Sequence, residues 1–321
     1  MSSPRQAGDH RSTEAANDAG YADAAEDFRA GFACFVGRPN VGKSTLTNTL
    51  VGSKIAITST QPQTTRHAVR GIVHRQGSQL IVVDTPGLHK PRTLLGERLD
   101  DLVLSTLTEV DVIGFLVPAD EPVGSGDRYI ADQLATVARR TPVVAVVTKT
   151  DLVHRDRVAE RLVEISQLGE WADIVPVSAA TGFQMELLAD LFTAQLPESP
   201  PLYPAGELTD EPDTRLIGEL VREAALDGVR DELPHSIAVQ VEEMIPHEDR
   251  ELLEIHVYLY VERPSQKAIV IGTRGSRLKQ VGSRAREQIE ALLGTHVYLD
   301  VHVKVAKDWQ RDPKQLRRLG F

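Results

Sequence analysis

The sequence predicts an α/β domain with a mostly parallel sheet and helices on both faces, followed by a smaller α+β domain. Three observations carry this. From residue 31, short apolar runs alternate with amphipathic stretches; residues 197–213 hold five prolines in 17 positions; beyond them the elements come in a different order.

Residues 1–30 are rich in Ser, Ala, Asp and Gly with almost no bulky apolar side chains. They cannot bury enough surface to order themselves and are expected to form a disordered acidic tail. The runs GFACFVG, LIVVDTPG, VIGFLVPAD, PVVAVVTK and DIVPVSA look like strands covered on both faces. Between the second and third, Leu95, Leu99, Leu102, Val103, Leu107 and Val110 recur at helical spacing, as a crossover between parallel strands requires. The first domain is placed at 31–196.

The prolines of PESPPLYPAGELTDEPD fix φ and remove backbone donors, keeping the chain extended and out of a sheet interior, so 197–213 reads as a linker. Over 214–321 the pattern predicts a helix at 214–227, strands at 235–242 and 252–261, a short helix at 265–271, a long helix at 276–293 and a strand at 296–305. In ELLEIHVYLYV, Leu253, Ile255, Val257, Leu259 and Val261 alternate with Glu254, His256, Tyr258 and Tyr260, giving one buried and one wet face.

A hydrophobic content of 41% over 321 residues can fill two cores. The single cysteine, Cys34, lies in the apolar run GFACFV, so it reads as a buried hydrophobe and a disulfide framework is excluded. No apolar run approaches the roughly 18 residues of a membrane span, and the first 30 residues lack the layout of a signal peptide. A cytoplasmic monomer is expected, with peripheral membrane contact left open. The net charge of −10 argues against bulk polyanion binding, and DNA is not an expected partner. The charge is uneven, however. Residues 31–213 carry net −7 and residues 214–321 net 0, and 263–286 hold seven basic side chains and no acidic one.

GRPNVGKS, Gly37 to Ser44, fits the pattern G-x-x-x-x-G-K-S between a predicted strand and a helical stretch. Phosphate oxygens need donors from several directions, which the amides of a glycine loop and a helix N-terminus supply. Gly37, Asn40, Val41, Gly42, Lys43, Ser44 and Thr45 form the candidate cradle, with Lys43 reaching the β and γ phosphates and Ser44 ligating Mg²⁺. One strand later, VVDTPG places Asp84 where a carboxylate can hold Mg²⁺ and Gly87 where an amide can sense the γ-phosphate. Asp151 can accept from N1–H and the exocyclic amine of guanine, a donor pair adenine lacks, while Lys149 lays its apolar stem over the base. Thr148 stands where an Asn side chain would brace the loop, and its shorter reach is expected to trim that bracing. In VPVSAATG, Ser178 tightens a turn that aims the Ala179 amide at the base oxygen.

These motifs, in this order, resemble the translation-factor-related GTPases, and the resemblance implies a GTP-hydrolysing switch that cycles between GTP and GDP. TSTQPQTTRHAVRG is similar to the P-Q-T-T-R-H effector segment of the Era GTPases. There one Thr closes over Mg²⁺ and the γ-phosphate; Thr65 is preferred here and Thr64 is the alternative. Lys43, Thr65 and Gly87 are the implied catalytic residues, and Ser44, Thr65 and Asp84 the implied metal ligands. Leu88 occupies the place where many regulatory GTPases carry a water-orienting Gln, so slow intrinsic turnover is expected. Asn40 matches an Asn that helps hold K⁺ in several relatives, which makes K⁺ stimulation a hypothesis.

Gly272-Thr273-Arg274-Gly275 forms a G-x-x-G between two predicted helices, where glycines admit a sugar-phosphate backbone and Arg274 attracts phosphates. Arg277 and Lys279 follow on the basic stripe, and this is the layout of a KH domain. ELVREAALDGVRDELPHSIAV, VERPSQKAIVIGTRGSRLK and ALLGTHVYLDVHVKVAKDWQRDP extend the resemblance to the Era family over about residues 31–321. It implies a type II KH domain that binds near the 3′ end of 16S ribosomal RNA during small-subunit assembly. In the terminal segment, Trp309 is expected to pack against the domain more than to stack on a base.

Overall fold

The computed structural model describes residues 27–321, apart from 60, 62–63, 89–92, 139, 230–232, 248 and 250. The expected tail therefore lies outside the described residues up to position 26. Its last two residues belong to the first strand, because Arg29 pairs with Ser78 and Ala30 with Gln79.

The first domain runs β1 (Arg29–Val36), α1 (Lys43–Val51), β2 (Val69–Arg75), β3 (Ser78–Asp84), α2 (Leu94–Glu109), β4 (Val112–Pro118), α3 (Ser125–Val137), β5 (Val143–Thr148), α4 (Arg155–Ser166), β6 (Asp173–Pro176) and α5 (Met185–Thr193). All five expected strands are present, and the sheet order is β2-β3-β1-β4-β5-β6. Among the described strands of this sheet only β2, in a hairpin with β3, runs antiparallel. Successive strand residues point to opposite faces, so β1 sends Cys34 and Val36 to a core with Val103, Leu107 and Ile130, and Ala33 and Phe35 to one with Leu46, Leu80 and Phe192.

The proline-rich segment folds back along β2. Ile72 N donates to Leu208 O (2.9 Å), His74 Nε2 lies 2.7 Å from Glu207 O, and the Gln79 amide holds Leu202 and Tyr203. A segment poor in donors thereby covers the open edge of the sheet, where unpaired backbone groups would otherwise invite another strand.

The second domain comprises α6 (Asp213–Leu226), α7 (Leu233–Ser236), β7 (Ala238–His247), β8 (Leu252–Val261), α8 (Pro264–Ile271), α9 (Ser276–Leu293), β9 (His296–Val305) and α10 (Pro313–Arg318). Strands β7 and β8 are antiparallel with a bulge between Val241 and Glu243, and β8 and β9 are parallel. Ile255, Val257 and Leu259 pack against Ile217, Val221, Ala285 and Ile289, as the alternation predicts. The opposite face is not wet throughout. Tyr260 is buried because the terminal segment covers it with Trp309, Leu316 and Leu319.

The domains share apolar contacts. Ile57, from the loop after α1, joins the core of the second domain, and Leu95 and Leu99 of α2 join the cluster around Trp309.

Candidate nucleotide site and nucleic-acid groove

The phosphate loop leaves the end of β1 in the middle of the sheet. A Cβ on Gly37 would lie 2.7 Å from Leu116 O, and Gly42 adopts φ 103°, so both positions require glycine. Lys43 opens α1 and turns back into the loop, donating from Nζ to Gly37 O (3.2 Å) and Arg38 O (3.0 Å). Burial lowers its ammonium to about 8, against the opposing pull of Asp84.

Three oxygens converge beside it. Ser44 Oγ donates to Asp84 Oδ2 at 2.7 Å, Thr65 Oγ1 reaches the same oxygen at 3.1 Å, and the two hydroxyls are 3.0 Å apart. Asp84 is fully buried, which pushes its carboxyl above the usual range, and its Oδ1 has no hydrogen-bond partner among the described residues. A buried carboxylate with one unused oxygen and two hydroxyls is a donor set for a hard, oxygen-seeking cation, so these residues fit Mg²⁺. Thr64 also lines the cavity, but its hydroxyl is engaged elsewhere, donating from Oγ1 to Gln61 O at 2.7 Å.

Gly87 packs on the phosphate loop so closely that a Cβ would lie 3.1 Å from Pro39 N. The next side chain, Leu88, is buried among Val36, Val83 and Val103. Asn40 takes φ 66° at the tip of the loop.

The other end of the site is assembled by β5 and the turn after β6. Thr148 Oγ1 donates to Val41 O at 2.7 Å, so the shorter side chain does reach the phosphate loop and the expected loss of bracing is not seen. Lys149, at φ 57°, pairs with Asp120 at 3.6 Å. Asp151 Oδ1 accepts from Ser178 Oγ at 2.6 Å, and that hydroxyl also accepts from Thr181 N at 3.2 Å. Asn40, Val41, Gly42, Lys43, Ser44, Thr45, Thr65, Gly87, Thr148, Lys149, Asp151 and Ala179 line one cavity of about 620 Å³. Asp84 and Ser178 stand behind this wall, each holding a residue that lines it. Asp120, Thr58 and Leu152 escaped the sequence reading. Asp120 closes the run VIGFLVPAD, and that strand-end carboxylate was the available signal.

In the second domain the G-x-x-G forms a tight turn between α8 and α9. Gly272 (φ 72°), Arg274 (φ 53°) and Gly275 (φ 78°) all take positive φ. The two glycines serve different ends: a Cβ on Gly272 would strike Arg277 Cβ at 2.7 Å, whereas one on Gly275 would meet nothing within 4 Å among the described residues. Gly275 thus leaves the approach open. A groove of about 360 Å³ follows between α9 and β9, lined by Gly275, Lys279, Gly282, Arg286, Tyr298 and Leu299 among others. Thr273, Arg274 and Lys279 are exposed at or beside it. Arg277 is placed otherwise, with Nη2 donating to Asp227 O (2.6 Å) and Ala225 O (3.3 Å) at the end of α6. Tyr298 and Gly282 were not foreseen, since neither belongs to the G-x-x-G or carries a basic side chain. Trp309 is fully buried and donates from Nε1 to Ser236 O at 3.0 Å, a packing role.

The phosphate loop, with Ser44, Thr65 and Asp84 beside it and Asp151 on the same cavity, joined to a G-x-x-G groove, defines the class: a GTPase domain fused to a KH domain. Residues 32–149 match the family described as 50S ribosome-binding GTPase, and residues 232–310 match the KH domain family. The chain is 68% identical to GTPase Era of Streptomyces coelicolor, covering 91% of this chain and 95% of that protein. It is 64% identical to GTPase Era of Mycobacterium sp. strain KMS, covering 92% and 99%. The chain belongs to the GTPase Era family.

Two solved structures match almost throughout. A variant of Aquifex aeolicus Era bound to GDP·AlF4⁻ superposes with a TM-score of 0.88 at 37% identity, covering 91% of this chain and 99% of that one. Era in complex with MgGDPNP and nucleotides 1506–1542 of 16S ribosomal RNA gives a TM-score of 0.87, at the same identity and coverage.

Proposed function

We propose that this protein is a Mg²⁺-dependent GTP hydrolase that binds 16S ribosomal RNA near its 3′ end through the KH groove and acts in maturation of the small ribosomal subunit. The observation that carries this is the meeting of Ser44, Thr65 and Asp84 at one end of the cavity that Asp151 lines at the other. The RNA assignment is supported by the open Gly275 turn, the exposed Arg274 and Lys279, and the RNA bound by the similar Era structure.

In this reading Asp151 accepts from the guanine edge, held in place by Ser178, and Lys149 covers the base while tethered to Asp120. The Ala179 amide faces the base oxygen. Thr148 holds the loop that carries Val41, so phosphate and base sites keep a fixed separation. Lys43 places its ammonium at the β and γ phosphates, Thr65 closes over the γ-phosphate, and the Gly87 amide reads its presence. Ser44, Thr65 and Asp84 would hold Mg²⁺, which neutralises charge developing on the phosphate oxygens. Buried Leu88 cannot orient an attacking water, so unaided hydrolysis is slow. Asn40, at the loop tip, is the residue through which K⁺ would act. The division between the domains falls within 197–213, and the protein works in the cytoplasm; no described helix is long and apolar enough to cross a membrane.

The test is phosphate release from GTP and Mg²⁺, with and without an oligonucleotide of the 16S 3′ end. Release that Lys43→Ala abolishes supports the proposal. Tight RNA binding with no release under either condition would reduce the protein to an RNA-binding assembly factor.

A further inference from the structure

Thr65 is held from both sides by the second domain. Before it, Thr64 O accepts from Arg222 Nη2, whose buried guanidinium is fixed by Glu219. After it, Arg66 is 2% exposed, and its fork donates from Nη1 to Ile237 O (2.6 Å) and from Nη2 to Pro234 O (3.1 Å) and His235 O (2.9 Å). The same guanidinium lies 5.7 Å from the centre of the Trp309 ring. His67 then stacks on Phe321 at 4.8 Å and 12°, and Phe321 stacks on Trp309 at 5.5 Å and 23°.

A planar fork spread over three carbonyls is a geometric fit that few other positions of residues 64–67 could reproduce. Leaving it would strand a buried charge and three carbonyls, so while the second domain is docked, Thr65 is kept within 3.1 Å of Asp84. A triphosphate with Mg²⁺ needs Thr65 in that place, and a diphosphate offers no γ-phosphate for it to close on. Only a ligand with different affinity for the closed and open forms responds to a shift between them.

We propose that Arg66 is the positioning residue for Thr65, and that its seat in the KH domain, braced by the His67–Phe321–Trp309 stack, sets the ratio of the affinities for GTP and GDP. The inference rests on the assignment of Thr65 as a Mg²⁺ ligand.

The experiment measures dissociation constants of a non-hydrolysable GTP analogue and of GDP, both with Mg²⁺, for the full chain and its Arg66→Ala, Phe321→Ala and Thr65→Ala variants. Arg66→Ala is expected to weaken the analogue about tenfold and GDP by less than about twofold. Phe321→Ala, at a residue that is not among those lining the nucleotide cavity, is expected to move the ratio in the same direction by a smaller factor, and it decides the matter should Arg66→Ala fail to fold. A merely structural role would weaken both nucleotides together, and that result, or an unchanged ratio in both variants, overturns the proposal. If Thr65→Ala also leaves the ratio unchanged, the metal assignment fails; if Thr65→Ala lowers it and the other two do not, only the positioning role fails.

Discussion

The hydroxyl of Thr148 donates to the main-chain oxygen of Val41 at 2.7 Å, tying the end of β5 to the phosphate loop. Both atoms are buried, so removing the hydroxyl leaves a carbonyl without its donor, a loss of about 1–2 kcal/mol. Thr148→Val should therefore weaken GTP and GDP alike by about five- to thirtyfold at constant kcat, measured by nucleotide titration and single turnover. A change confined to one nucleotide would mean that the bond does not set the loop.

Asp151 is fixed by Ser178 and faces the nucleotide cavity. Asp151→Asn turns an acceptor pair into an acceptor and a donor, so it should weaken GTP and admit xanthosine triphosphate. Competition binding checks this; an unchanged order of preference would remove Asp151 from the base site.

Lys43 in the free protein is depressed to about 8 by burial, and phosphate oxygens around it favour its charged form. At about pH 8.5 the free ammonium is mostly neutral and the bound one charged, so GTP binding should take up a proton. Calorimetry in buffers of different ionisation enthalpy measures that uptake. It should vanish below about pH 7, where Lys43 is charged in both states.

His67 is lowered from its ordinary 6.5 to about 4, first by burial, with Arg215, Arg222 and Arg66 adding to it against Glu219. Its folded pKa lies below the unfolded one, so the unfolded chain binds the proton more readily. The stability it permits is full above about 6.5 and is lost as pH falls towards 4. His67→Phe keeps a ring against Phe321 and removes the titration. Its Tm should fall less than that of the unaltered chain across this window.

Arg277 caps the end of α6, whereas Lys279 lines the groove. Lys279→Ala should weaken RNA and reduce the salt slope of binding by about one unit. Arg277→Ala should lower Tm with little change in that slope.

Motifs bound to one turn were legible in the sequence, because their spacing reflects local backbone geometry: Gly37 to Ser44, Asp84 to Gly87 and Gly272 to Gly275 all stand at element ends as expected. The preference for Thr65 over Thr64 rests on the family resemblance alone in the sequence, since adjacent threonines differ only in where the loop turns them. Strand β2 was not foreseen, as VRGIVHR has its charges on an edge strand and no continuous apolar run. The seat of Arg66 was beyond reach for a different reason. Its partners are main-chain oxygens about 170 residues away, and any residue type can present those. Arg277 misled for a like cause: a basic side chain on a basic stripe gives no sign that carbonyls already claim it.

The most direct test of the central claim is multiple-turnover GTP hydrolysis with Mg²⁺, measured with and without an oligonucleotide of the 16S 3′ end, beside Lys43→Ala and Thr65→Ala. Slow turnover in protein alone, absent in both variants, together with retained RNA binding, is the predicted result. Turnover that survives loss of both side chains, or hydrolysis that ATP supports as well as GTP, would contradict it.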